Sequence, residues 1–270
     1  MSKSSFLSQE IFALTKRLFI QLQRRPSSLI AGLLQPLIWL ILFGALFTNS
    51  SLELFPGISN YGNFLGAGLI VFTAFSGALN SGLPIMFDRE FGFLNRLLVA
   101  PLESRLSIVI SSFLFITLIS LVQSLTIMLA ASLLGYGFPS LEGLLVVLIT
   151  LIILVFGVTA LSLGLAFILP GHIELLALIF VINLPILFAS TALVPISFMP
   201  SWLGWIASVN PLTFAIEPIR ASYSKSIDLT NVVLRAPYGD LNSLDCLFIL
   251  GLLTLVILLT VRPLLNKKLQ

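Results

Sequence analysis

Charge is scarce in this sequence. Lys, Arg, Asp and Glu make up 9% of its 270 residues, while 58% are apolar. A soluble domain is typically about 25% charged and about 45–50% apolar, so a water-solvated globular protein is excluded. Mean hydropathy is +1.11. The chain reads as one all-α integral membrane domain, because no stretch is long and polar enough to fold as a second. Cysteine and histidine occur once each. Cys246 has no disulfide partner and no metal-ligand companions, and reads as a small buried or lipid-facing residue. His172 lies at a tight turn beside Glu174. It reads as a turn or capping feature, with a metal or proton-relay role as the alternative.

Other absences narrow the function. No GxxxxGK[ST] phosphate loop occurs, so the chain does not hold ATP in the P-loop manner, and energy from ATP has to come from another chain. No Asp, Glu, Lys or Arg sits in the middle of a hydrophobic run, which argues against coupling to an ion gradient. Paired catalytic groups are missing from the same runs, which argues against an intramembrane enzyme. No cofactor or metal is expected on this chain. The formal charge of +3 would suit nucleic acid. In a membrane protein, excess Lys and Arg reports topology instead, and no nucleic-acid partner is expected.

Six apolar runs are present, at residues 29–47, 64–86, 106–134, 144–169, 173–194 and 244–261. Each is near the roughly 20 residues a helix needs to cross about 30 Å of hydrocarbon. Some 28 mostly polar residues come first, so the N-terminus is not expected to be a cleavable signal. Within residues 1–28, Leu7, Ile11, Leu14, Leu18 and Leu22 recur every three or four positions, with Lys16, Arg17, Gln21 and Arg24 off the stripe. That pattern predicts an amphipathic helix lying in the membrane interface. Residues 29–261 form the membrane domain, and 262–270 a basic tail. Between the fifth and sixth runs, Met199–Val209 carries Trp202 and Trp205, whose rings favour the membrane boundary and predict a surface or re-entrant helix. A polar loop is expected to follow.

The basic residues set the orientation. With six spans and the N-terminus inside, 11 of the 14 Lys and Arg fall on the cytoplasmic side and 3 outside. Both termini and the loop after the second span are then cytoplasmic. Within the spans, Asn80, Gln123 and Asn183 are candidate pathway residues, though each would equally serve as an interhelical hydrogen-bond partner.

The loop at 88–105 carries six of the chain's 25 charged residues. Leu94, Leu97 and Leu98 stand at i, i+3 and i+4, predicting a short helix with an exposed apolar edge that Pro101 stops. Such an edge between charged flanks suits docking into a partner's groove. The alternative is a solvated connector.

The segment Arg89-Glu90-x-Gly92-x-Leu94-x-Arg96-Leu97-Leu98-x-x-Pro101, followed by Arg105, resembles the cytoplasmic loop of ABC-2 type permeases. These are the membrane subunits of ATP-binding-cassette exporters. Phe93 and Asn95 depart from the usual Thr and Glu. Residues Asn210, Pro211, Leu212, Thr213, Phe214, Glu217 and Arg220 resemble a second family segment ahead of the last span, with Phe214 for Tyr. Together with the topology, the likeness covers the whole chain, and the daunorubicin-exporter-like and cyanobacterial or plastid members look nearest. The resemblance implies a homodimer, or a heterodimer with a related permease, above two copies of a separate ATPase that carries ATP and Mg. The loop helix would be the coupling helix, with Arg89 and Glu90 holding it by ion pairs and Leu94, Leu97 and Leu98 seating it. The cargo class would be a lipid, an amphipathic drug or a lipid-linked glycan, moved outward in a bacterial plasma membrane, with a thylakoid or plastid membrane also open. An ATP-independent channel or lipid scramblase is the competing function.

Overall fold

A computed structural model describes residues 3–24, 26–47, 61–99, 104, 106–223 and 228–269. Its helices are α1 (Lys3–Arg24), α2 (Pro26–Leu46), α3 (Tyr61–Leu79), α4 (Gly82–Glu90), α5 (Phe93–Val99) and α6 (Leu106–Leu133). They continue as α7 (Leu141–Ile168), α8 (His172–Phe188), α9 (Ser201–Val209), α10 (Pro211–Ala221) and α11 (Ser243–Leu269). Among the described residues, five stretches are long and apolar enough to cross a membrane: Leu29–Leu46, Tyr61–Glu90, Leu106–Leu133, Leu141–Ile168 and Ser243–Leu265.

The helix starts follow local chemistry. Ser140 accepts the Gly143 N–H ahead of α7, with Glu142 in the first turn. At α11, Asn242 and Asp245 cap each other, each side chain accepting the other's backbone N–H at 2.8 and 3.0 Å. Pro211 opens α10 at a position where its missing N–H costs nothing, and Asn210 caps it by accepting from Leu212. The stripe of α1 faces the bundle, with Leu18 buried and Leu14 and Leu22 packed on the core beside it.

Helix α3 is the centre of the bundle. Sixteen of its residues are buried, and α2, α6, α7 and α10 pack around it. Its glycines admit close neighbours. A Cβ at Gly68 would lie 2.5 Å from the Ala192 carbonyl oxygen. Most of α2 and α11 turns apolar side chains outward, the arrangement expected where lipid or a second subunit is the solvent.

Three expectations are corrected and one is refined. The second run is not one helix: α3 stops at Leu79 and α4 begins at Gly82. The fifth is a helix of 17 residues rather than one reaching Val194, and at 1.5 Å per residue it spans only about 25 Å. It ends because the Asn210 amide captures the carbonyls of Ile186, at 2.8 Å, and Ala189, leaving residues 189–193 to pack as buried irregular chain against α3. The polar loop before the last run contains a short antiparallel hairpin, β1 (Val232–Ala236) and β2 (Gly239–Asn242), within an otherwise all-α fold. Tyr238 at its tip donates to the Ser208 carbonyl at 2.7 Å, tying the hairpin to α9. The last helix runs past residue 261 to Leu269, taking in the expected basic tail.

The close approach at Gly68 yields a prediction. Gly68→Val should cost about 1–3 kcal/mol by overpacking, read as a lower thermal midpoint in detergent. Gly251→Val, where no atom lies within 4 Å of an added Cβ, should leave that midpoint unchanged.

Candidate functional site

The loop that stood out as a charged island is built into one end of the bundle. Helix α4 ends at Glu90, and Gly92 then takes φ +73°, a left-handed conformation that glycine adopts without penalty. This turn reverses the chain into α5. The three charged residues before it, Asp88, Arg89 and Glu90, each bind a different element.

Asp88 accepts two hydrogen bonds from the Arg17 guanidinium, at 2.9 and 2.8 Å, fixing α1 against the loop. The same guanidinium lies 4.1 Å from the Phe93 ring centroid, a cation–π contact made by one of the two residues that depart from the familiar motif. Among the described residues, Arg89 bonds to backbone carbonyls and not to the expected ion-pair partner. Its guanidinium donates to the carbonyls of Ala166 at 2.8 Å, of Leu169, and of Pro170 at 2.7 Å. These are the unpaired acceptors at the C-terminal end of α7, where a cation is also favoured by the helix dipole.

Glu90 does the converse at the start of α8. One carboxylate oxygen accepts the His172 backbone N–H at 2.6 Å, and the other meets His172 Nδ1. The lone histidine thus opens α8, and Glu90 of the loop supplies the cap. Gly171 makes the approach possible, since a Cβ there would lie 2.8 Å from a Glu90 oxygen and 2.9 Å from a Glu174 oxygen. Phe87 packs on the His172 ring with centroids 5.1 Å apart.

The apolar residues of α5 divide differently from the expected edge. Leu94 is buried inside this chain, in a cluster with Ile85, Ile108, Leu163, Phe167 and Leu265, and Leu97 is packed on that cluster. A helix of seven residues cannot present one apolar edge outward while also anchoring itself, so the anchoring claims Leu94. Among the described side chains of this loop, the large apolar ones left exposed are Phe91, at 79%, and Val99, at 87%. Arg96 and Asn95 are exposed. Pro101 and Arg105 lie outside the described residues, as does the side chain of Leu98.

The second motif lies at the opposite end. Arg220 pairs with Glu217, donates to the Thr191 carbonyl at 2.7 Å and stacks 3.6 Å from the Phe64 ring centroid. Thr213 Oγ1 accepts the Thr191 N–H. With Asn210 on the end of α8, these residues fasten α10 to the irregular segment beside α3. Leu212 and Phe214 are buried in the same region.

The candidate pathway residues converge on one turn of α3. Asn80 donates to the Ser76 carbonyl, and Asn183 from α8 donates to the Ser76 hydroxyl at 3.2 Å. Gln123 from α6 lies beside the adjacent Gly77, its Oε1 3.2 Å from where a Cβ would stand. Sequence reasoning missed Arg17, Asp88 and Ser162 as partners. Ser162 carries no motif, and only the small residue Gly82 opposite it hints at a close contact.

The architecture is that of an integral membrane protein: apolar helices around a central span, with a loop lashed to three other elements at one end. The chain belongs to the ABC-2 type transporter family, whose model matches residues 9–223. It is also similar to proteins named transport permease ycf38. That of Porphyra purpurea is 55% identical over 87% of this chain and 81% of the relative. That of Cyanophora paradoxa is 57% identical over 83% and 77%, and that of Pyropia yezoensis 53% over 88% and 82%. The protein is therefore an integral membrane permease of the ABC transporter class, a class that works with an ATPase subunit.

The Arg89 cap is open to direct test. Removing it in Arg89→Ala should cost about 1–2 kcal/mol locally, a roughly 5- to 30-fold rise in amide exchange over residues 166–172. Arg89→Lys, with one point charge in place of a fork, should restore only part of the protection.

Proposed function

We propose that this chain is the transmembrane subunit of an exporter that moves a hydrophobic or amphipathic substrate outward, driven by ATP hydrolysis in a separate ATPase subunit. The observation that carries this reading is the three-way fastening of the loop by Asp88, Arg89 and Glu90. A connector has no need to cap two other helices and hold a third. A lever does, because movement at its tip must reach the spans rather than be absorbed locally.

In this reading the loop end faces the cytoplasm, in keeping with the distribution of Lys and Arg. The ATPase dimer, holding ATP and Mg, grips the loop through exposed Phe91 and Val99, with Arg96 beside them. Closure of that dimer displaces α4, and the caps at Arg89 and Glu90 pass the displacement to the end of α7 and the start of α8. Helix α8 meets α3 at Asn183 and Ser76, so the turn of α3 on which the candidate pathway residues converge changes its relation to α8. Two copies of this chain, or one with a close relative, enclose the path. The cargo is a lipid, an amphipathic drug or a lipid-linked glycan, classes consistent with spans that carry no mid-membrane charge. On the family resemblance, the membrane is a bacterial plasma membrane or a thylakoid or plastid membrane.

Purification of the tagged chain from its native membrane tests the proposal. A P-loop ATPase should co-purify in equal stoichiometry. The double substitution Phe91→Glu, Val99→Glu should reduce that recovery at least tenfold while leaving the thermal midpoint of the permease unchanged. Recovery of the wild-type chain without any ATPase would refute the reading.

A further inference from the structure

The second span is interrupted, and the interruption is filled by a side chain from another helix. In a continuous helix the carbonyl of Leu79 would receive a hydrogen bond from the following turn. Here the Ser162 hydroxyl of α7 donates to the Leu79 carbonyl at 2.6 Å and accepts the Gly82 N–H at 2.9 Å. One oxygen thereby occupies the gap between an acceptor and a donor three residues apart. The neighbouring backbone is otherwise paired, by Asn80 to Ser76, Ser81 to Ala78 and Leu83 to Asn80. Insertion of a polar group into the hydrogen-bond ladder is a known cause of a helix kink.

The site is closed to water, since Ser162 is fully buried and Ser81 is 2% exposed. It is also tightly shaped, because a Cβ at Gly82 would stand 2.5 Å from the Ser162 carbonyl oxygen. The same helix α7 receives α4 a second time one and two turns further on, at Ala166, Leu169 and Pro170, through Arg89. Helix α4 is therefore held to the last turns of α7 at both of its ends. The break at Asn80–Ser81 is where α3 can turn relative to that unit.

We infer that Ser162 is a positioning residue for transport: its hydroxyl pins the break in the second span, so that displacement of the loop rotates α3 instead of unravelling it. The inference rests on the exporter reading for its purpose but not for its geometry. In a bilayer the freed Leu79 carbonyl and Gly82 N–H would have no water to turn to. Without the pin they would draw the two helices into other pairings, and the junction would lose its defined angle. The Ser81 hydroxyl, buried and unpartnered among the described residues, stands next to the pin.

The test uses the full chain in lipid nanodiscs, alone and with its co-purified ATPase. Hydrogen exchange over residues 80–84 should rise about tenfold in Ser162→Ala, the equivalent of one lost hydrogen bond, while Ser162→Thr, which keeps the hydroxyl, stays near wild type. Unchanged exchange in Ser162→Ala overturns the pin whether or not an ATPase binds. In the complex, Ser162→Ala should keep ATPase recovery and a cooperative thermal transition, yet lose the nucleotide-dependent change in exchange along α3, with Ser162→Thr restoring it. A nucleotide response in Ser162→Ala equal to wild type overturns the positioning role. Failure of the wild-type chain to bind any ATPase would instead sink the exporter reading, leaving the first measurement to decide the pin.

Discussion

A backbone carbonyl or N–H inside a bilayer has no water to bond, so every place where a helix ends or breaks at depth must be covered by the protein itself. Several of this chain's helix ends, and the break after Leu79, are covered by a side chain from another element, at the exposed loop end as well as inside the bundle. Arg89 closes the end of α7, Glu90 opens α8, Asn210 closes α8, and Ser162 fills the break between α3 and α4. None of these residues belongs to the helix end it closes. The local need for a hydrogen bond therefore becomes a long-range tie between elements.

That substitution has a mechanical consequence. A helix capped by its own sequence is stable but independent, as α7 is at Ser140. A helix capped by another element moves with it. The loop end unites α1, α4, α7 and α8 through Asp88, Arg89 and Glu90, while the far end unites α8, α10 and the irregular segment through Asn210, Thr213 and Arg220. Between the two stands α3, packed on almost every side, with its swivel at Asn80–Ser81. The result is a few stiff bodies joined at defined points, the construction that carries a displacement across a membrane without dissipating it.

The class and most helix positions were legible because they rest on hydropathy and length, which act on long stretches and tolerate local exceptions. The inward stripe of α1 and the helix formed by residues 93–99 were legible for the same reason. The errors share a cause. The break after Leu79, the early stop at Phe188 and the burial of Leu94 all arise from groups distant in sequence, Ser162, Asn210 and the α6–α7–α11 cluster, which no local pattern announces. Arg89 and Glu90 were found by motif, and the resemblance implied ion pairs; Glu90 meets His172, whereas Arg89 binds the carbonyls at the end of α7. His172 shows the opposite case: a turn position and an adjacent carboxylate pointed to capping, and the capping carboxylate came from Glu90 instead.

The central claim is that ATP-driven movement of the loop reaches the polar turn of α3 and α8. It is tested most directly by thiol accessibility in a Cys246→Ser background, with Ser76→Cys and Asn183→Cys as separate reporters in the reconstituted complex. Membrane-impermeant reagent applied to each side should exchange its preference when ATP is added, with labelling from the loop side falling and from the opposite side rising. The Arg89→Ala variant should abolish that exchange while still hydrolysing ATP. Labelling that is indifferent to nucleotide in the wild-type complex, or unaltered by loss of Arg89, would contradict the account.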